Sequence, residues 1–321
     1  MKASLNTIYG PPEVVHIGEI EKPVPRDSEV LIKIHTATVN RTDCGFRSAE
    51  YFVSRFFSGL INPKNHVLGN EFAGEIEAIG KSVKSFKVGN RVFGYDDVGF
   101  GCHAQYKVMS ESGPIATMPS NFSFEEAAPM IEGGHYALCD IRAAKIEKGH
   151  RVLINGATGA IGSAAVQIVK YLGAEVTAVC DTKNREMVSG LGADEVIDYT
   201  KQDFTRLSKK FDVVFDAVGK SNFGKCKPLL VEKGIYMSTE FGPRFENPFL
   251  AMITPILGGK KLLFPIPTIS KEDVIFLKGL AENGEYKPVL DRSFALDEIV
   301  EAYRYVETGM KTGNVLIQVA H

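Results

Sequence analysis

The chain has 321 residues, room for two domains of ordinary size, and 44% of them are apolar, enough to build a core in each. A formal net charge of −2 excludes both the basic face of a nucleic-acid binder and an acidic disordered arm, which leaves a small-molecule role. No segment reaches the roughly 20 uninterrupted apolar residues of a membrane span or is built like a signal peptide, so the expectation is a soluble, cytoplasmic protein.

The first third reads as β structure. "EVLIKIHTATVN" sets Val30, Ile32 and Ile34 against charged partners, and "GNEFAGEIEAIG" and "VGNRVFGY" follow with glycine between them. From about Asn121 the spacing turns helical in "SFEEAAPMIEGGHYALCDI", with Ser123 as N-cap and acidic residues in the first turn. Strands and helices then alternate. "RVLING", "EVTAVC", "EVIDY", "FDVVFDAVG", "GIYMST" and "KLLFPI" read as strands, with helices over "AIGSAAVQIVKYLG", over "KNREMVSGLG" and around 223–230. Apolar, β-branched strands separated by helices imply a parallel sheet covered on both faces. Residues 239–252 read as loop, then come helices over about 271–282 and 297–308, and "NVLIQV" as a last strand that can rejoin the first domain. The five cysteines, at 44, 102, 139, 180 and 226, are irregularly spaced without a C-x-x-C pair, which disfavours a disulfide framework and a zinc ribbon. Cys139 and Cys180 read as buried inert thiols.

"RVLINGATGAIGSAAVQIVKYLGAEVTAVCD" places Gly156, Ala157, Thr158, Gly159, Ala160, Ile161 and Gly162 directly after a strand and at the mouth of a helix. A turn that tight needs residues without a Cβ, and free amides at a helix start face the negative charge of a pyrophosphate. The spacing is G-x-x-G-x-x-G rather than G-x-G-x-x-G. Asp181, at the tip of the next strand and 19 residues beyond Gly162, suits the adenosine ribose hydroxyls of NAD. Thr182, Lys183 and Arg185 follow at once, and the two cations suit the 2′-phosphate of NADP, so both cofactors remain open.

Together "VNRTDCGFRS", "LGNEFAGEIEAIG", "VGNRVFGY", the glycine loop with its helix, "LGADEVIDY" and "FDVVFDAVG" resemble the medium-chain dehydrogenase/reductase superfamily, within it the zinc-free quinone oxidoreductase-like branch. The resemblance implies an α/β chain: a GroES-like β domain over 1–120 and 269–321, plus a Rossmann doubly wound parallel-sheet domain over 121–268. It also implies a homodimer joined through sheet edges at "KKLLFPIP", 260–267. Zinc alcohol dehydrogenases of the superfamily carry a cysteine before an R-S-D-like run and a histidine before the glutamate of a G-H-E motif. Here Asn40 precedes Arg41, Thr42 and Asp43, and Asn70 precedes Glu71. A carboxamide is a poor zinc ligand beside thiolate or imidazole, so no metal site is expected. His66 and His103 read as surface or turn residues.

Without a Lewis acid an isolated carbonyl is hard to reduce, whereas hydride added to a quinone or an α,β-unsaturated carbonyl compound leaves a delocalised charge. One preorganised donor to such an oxygen contributes about 2.7–4 kcal/mol. The amides of Asn40 and Asn70 are the candidates, with Asp43 as orienting group or proton relay, or as a plain acceptor for nearby backbone. Several relatives have a tyrosine shortly after the aspartate; this chain has Gly45, with Tyr51 beyond. His135 stands where relatives have a threonine near the nicotinamide and reads either as an acid or as a core residue. Tyr199 resembles a position near the adenosine, and Thr239 and Phe264 resemble positions on the nicotinamide side. Two rival readings are a non-catalytic dinucleotide-binding redox sensor and a zinc-dependent alcohol dehydrogenase.

Overall fold

Glu29–Val39 is the strand around which the first unit is built. Val30, Ile32 and Ile34 are fully buried on one side of the pleat, and the strand is long enough to serve three neighbours. It pairs antiparallel with Glu71–Ile79, while its first half pairs with Tyr106–Ser110 and its last residues with Asn314–Gln318. A register shift between Ile34 and Thr36 marks the bend between those halves. The sheet continues through Arg91–Tyr95 to Ile115–Thr117, and Leu290–Ala295 lies parallel to Asn314–Gln318.

The computed structural model describes residues 1–50 and 52–321. Two compact units are present: Met1–Glu132, Ile269–Asn283 and Pro288–His321 form one, Gly133–Thr268 and Gly284–Lys287 the other. In the second, six parallel strands lie in the order Glu195–Asp198, Glu175–Cys180, Arg151–Asn155, Phe211–Asp216, Leu230–Ser238, Lys261–Leu263. Chain order reverses between Arg151–Asn155 and Phe211–Asp216, the doubly wound switch point beyond whose strand ends such sheets bind ligands. The chain is thus an α/β protein with an antiparallel GroES-like sheet and a Rossmann sheet.

The helical stretch from Ser123 is broken where the sequence suggested continuity. Phe124–Ala127 is capped by Ser123, Pro129 takes φ −86°, ψ 18°, and a new helix runs over Ile131–Ala143. A proline ring clashes with the preceding turn and supplies no N–H, so the break falls there. Residues 239–252 are not all loop, because Glu246–Leu257 is a helix; Pro248 sits in its first turn, where no intrahelical N–H is missed. Arg41–Ser48 is also a helix, with Asn40 as its N-cap. Tyr51 lies outside the described residues. Cys180 is buried, whereas Cys139 is half-buried against the Thr268 backbone. No helix among the described residues is long and apolar enough to cross a membrane.

His103 is a core residue rather than a surface one; His66 is exposed. His103 Nε2 lies 2.7 Å from the carbonyl of Thr38 and must donate to it, which leaves Nδ1 to accept from Tyr303 at 3.4 Å. Burial pushes its pKa down to about 4. The folded state therefore resists a proton that the unfolded chain takes near 6.5, so this contribution to stability is lost as pH falls from 6.5 to about 4. In urea titrations the stability gap between the wild type and His103→Asn should narrow over that range. A constant gap would show that the ring is not held neutral.

Candidate active site

In the first unit Asn40 ends Glu29–Val39 and caps the helix Arg41–Ser48. Its Oδ1 accepts the N–H of Asp43 at 3.0 Å, while Asp43 Oδ2 accepts the N–H of Asn40 at 3.0 Å. Asp43 is fully buried, and its other oxygen accepts the N–H of Gly69 at 3.0 Å. It is thus a backbone acceptor that ties this helix to the segment carrying Asn70.

Asn40 Nδ2 donates to Asn70 Oδ1 at 2.8 Å. Asn70, fully buried, spends its own N–H groups on Tyr95 at 3.3 Å and on Glu132 at 2.9 Å. Both hydrogens of Asn70 are therefore used inside the protein, and Asn40 is the amide with one left to offer among the described residues. The second oxygen of Glu132 accepts the hydroxyl of Thr42 at 2.6 Å. Glu71 accepts from Thr38 at 2.7 Å and from the backbone N–H groups of Ile131 and Glu132 at 3.2 and 2.8 Å, so it caps the helix Ile131–Ala143. Thr42 is the one member of this network that is partly exposed.

Three carboxyls so enclosed titrate abnormally. Burial pushes Asp43 up to about 7, Glu71 to about 8 and Glu132 to about 7; the Glu132 charge adds to the effect on Glu71. The donor set does not suit a metal. Each carboxamide oxygen in the seats of the usual cysteine and histidine is already hydrogen-bonded, and no three His, Cys, Asp or Glu among the described residues are placed to hold an ion.

The second unit carries the glycine loop. Gly156 has φ +81°, and a Cβ there would lie 2.6 Å from Val218 Cβ. A Cβ on Gly162 would meet the carbonyl of Gly156 at 2.1 Å, so Gly162 is required by the packing of helix on turn. Gly159 differs: its backbone is extended, and its Cβ would meet nothing of the protein closer than 3.7 Å. It is the N-cap of Ala160–Tyr171, a helix start with no side-chain cap, and the space beside it suits a pyrophosphate against free amides. Ala157, Thr158, Ala160 and Ile161 complete the turn, where the N–H of Ala157 is held by the carbonyl of Val179 at 3.1 Å. Residues that fit a dinucleotide are thus present.

Asp181 follows Glu175–Cys180; its Oδ1 accepts Asn184 Nδ2 at 2.6 Å and its Oδ2 lies 3.9 Å from Lys183 Nζ. Thr182 lies 3.1 Å from the hydroxyl of Thr200, and Tyr199 and Lys183 are exposed. Thr239 continues the strand Leu230–Ser238, and Phe264 packs on Phe241 at 5.5 Å. His135 is buried within Ile131–Ala143, its ring 4.6 Å from that of Tyr136. Sequence reading missed Glu132, Thr42 and Tyr95. It also missed Asp216, which holds the loop after its strand by accepting from Asn155 Nδ2 at 2.9 Å and Ser221 N–H at 2.8 Å. Of these, Asp216 alone had a signal, as the last strand residue of "FDVVFDAVG".

The alcohol dehydrogenase GroES-like domain family matches residues 26–120, and the family described as zinc-binding dehydrogenase matches residues 191–317. A 2-methylene-furan-3-one reductase of Solanum lycopersicum is 31% identical over 99% of this chain and 79% of that protein. A chloroplastic quinone-oxidoreductase of Triphysaria versicolor is 30% identical over 94% of this chain and 92% of that protein. The structure of the quinone oxidoreductase from Coxiella burnetii superposes with a TM-score of 0.88 at 27% identity, covering 100% of this chain and 99% of that one. With both sheets, the switch-point loop and these relatives in agreement, the chain belongs to the medium-chain dehydrogenase/reductase superfamily, in its quinone oxidoreductase-like branch, and is an oxidoreductase.

Proposed function

We propose that this enzyme is a zinc-independent reductase that uses NADPH in preference to NADH and delivers hydride to a quinone or an α,β-unsaturated carbonyl compound. The observation that carries the reading is the 2.8 Å bond from Asn40 to Asn70. It occupies both metal seats with a pair of amides that satisfy one another, and it leaves Asn40 one N–H for an acceptor oxygen. Such a donor is sufficient where the developing charge is delocalised. Asn70 and Asp43 hold Asn40 in place. Names of relatives point the same way, among them an NADPH-dependent alkenal/one oxidoreductase of Arabidopsis thaliana, 29% identical.

When bound, the dinucleotide supplies the hydride. The helix start at Gly159 and the amides of the loop would hold its pyrophosphate, and Thr239 and Phe264 would lie on its nicotinamide side. Support for NADPH comes from Asp181, whose carboxylate is held by Asn184, with the exposed cations Lys183 and Arg185 directly after it to meet a 2′-phosphate. We also assign a homodimer. Lys261–Leu263 is an edge strand, and the neighbouring helix Glu246–Leu257 exposes Phe249, Met252 and Ile256 at helical spacing.

Consumption of NADPH, followed by absorbance over a panel of quinones, enones and alcohols, should show turnover on the first two without stoichiometric metal and unaffected by chelator; Lys183→Ala should weaken NADPH and spare NADH. Tight cofactor binding with no turnover would instead favour a redox sensor, and metal-dependent alcohol oxidation a zinc enzyme. Gly159→Val should raise the dinucleotide Kd roughly tenfold or more while leaving the melting temperature unchanged, because it fills ligand space alone. Gly162→Ala should lower the melting temperature by several degrees. A reversal of those two results would remove the loop from the binding site. Sedimentation velocity should find a dimer that Ile256→Arg, a change at an exposed position, dissociates, and a monomeric wild type would end that assignment.

A further inference from the structure

We propose that Glu132 is the acid that supplies the proton of the reaction, handing it outward through the hydroxyl of Thr42. The inference rests on the reductase reading above and names the group that completes it.

Three buried carboxyls are available, and their hydrogen-bond partners tell them apart. Asp43 is met on both oxygens by backbone N–H groups, which only donate. Glu71 is met by two backbone N–H groups and by the hydroxyl of Thr38, which is itself sealed at 1% exposure. Glu132 is met by side chains: the amide of Asn70, which donates and fixes one oxygen, and the hydroxyl of Thr42 at 2.6 Å on the other. A hydroxyl can accept one proton while releasing another; an amide N–H cannot. Thr42 is also the partly exposed member of the network, so the Glu132–Thr42 bond is its outlet.

In the reaction, hydride joins the β-carbon and the pair of the C=C bond moves to give the enolate. With Glu132 protonated the 2.6 Å bond runs the other way, Glu132 donating to Thr42 Oγ1, so the α-carbon, or the oxygen of a reduced quinone, bonds the Thr42 proton as Thr42 Oγ1 takes that of Glu132. Glu132 is left as a carboxylate and regains its proton from water. Asn40 holds the acceptor oxygen, so charge stabilisation and proton supply fall to separate groups.

The charges around Glu132 suit this cycle. Burial is the largest influence, with Asp43 and Asp97 also favouring the protonated form, and hydrogen bonds from Thr42 and Tyr95 opposing it. Glu71 is charge-coupled to it as well. Lys311 is the cation charge-coupled to it; burial lowers its pKa, and Glu132 is the first of the acids that oppose the lowering. The proton is held up to about pH 7, the range a general acid needs.

The test compares the wild type with Glu132→Gln, Thr42→Val and Thr42→Ser, using whichever acceptor the wild type reduces. Wild-type kcat should fall above about pH 7, and Glu132→Gln and Thr42→Val should lose roughly a hundredfold in kcat and that pH limb, with dinucleotide Kd unchanged. Thr42→Ser should restore most of the rate. Independently, infrared titration of the free protein should show a carboxylic-acid carbonyl band that Glu132→Gln removes. A pH limb that persists in Glu132→Gln, a Thr42→Val variant as fast as wild type, or an unchanged infrared band overturns the assignment while the reductase reading stands. A wild type that reduces no acceptor overturns the reading, and this inference with it.

Discussion

A hydrogen bond between two carboxamides organises the first unit's chemistry. Asn40 donating to Asn70 is a neutral contact, yet it decides the state of everything around it. It fixes which face of Asn70 meets Glu132, and it keeps Asn40 in the role of helix cap. Replacing either amide by a charged ligand would add charge beside three enclosed carboxyls, a cost that low local polarity magnifies. The site therefore depends on satisfied neutral dipoles.

The second unit solves a different problem with the same economy. Of the three glycines in the turn, two are required by the protein's own packing. Gly156 faces Val218, and Gly162 lets the helix sit on the turn. Gly159 alone leaves open space. The chain behind the turn is stiffened by Asp216, which gathers Asn155, Ser221 and Tyr236 around one carboxylate. A rigid cradle lowers the ordering cost of a bound dinucleotide.

How much of this was readable beforehand varied with the range of the interaction. The parallel sheet and its loop were legible, because periodicity and glycine spacing are local signals. The helix Glu246–Leu257 was not, since prolines at 248 and 255 mask a helical pattern that tertiary packing sustains. Pro129 did break the run that follows Ser123, an outcome its ring predicts but which the apolar spacing on both sides concealed. Glu132 was invisible for another reason: within "MIEGGHYAL" it is an ordinary acidic residue at a helix start, and its meaning comes from Thr42 and Asn70, far away in sequence. His103 likewise reads as a turn residue until Tyr303 and the Thr38 carbonyl close around it.

The parallel sheet ends at Lys261–Leu263 on one side, three residues followed in the chain by Pro265 and Pro267, and at the acidic strand Glu195–Asp198 on the other. Prolines cannot extend a ladder, and like charges repel a stacking neighbour. Main-chain addition at either border thus saturates after a few bonds. Open-ended fibrillar growth from either border is thereby disfavoured, even with an apolar helix alongside.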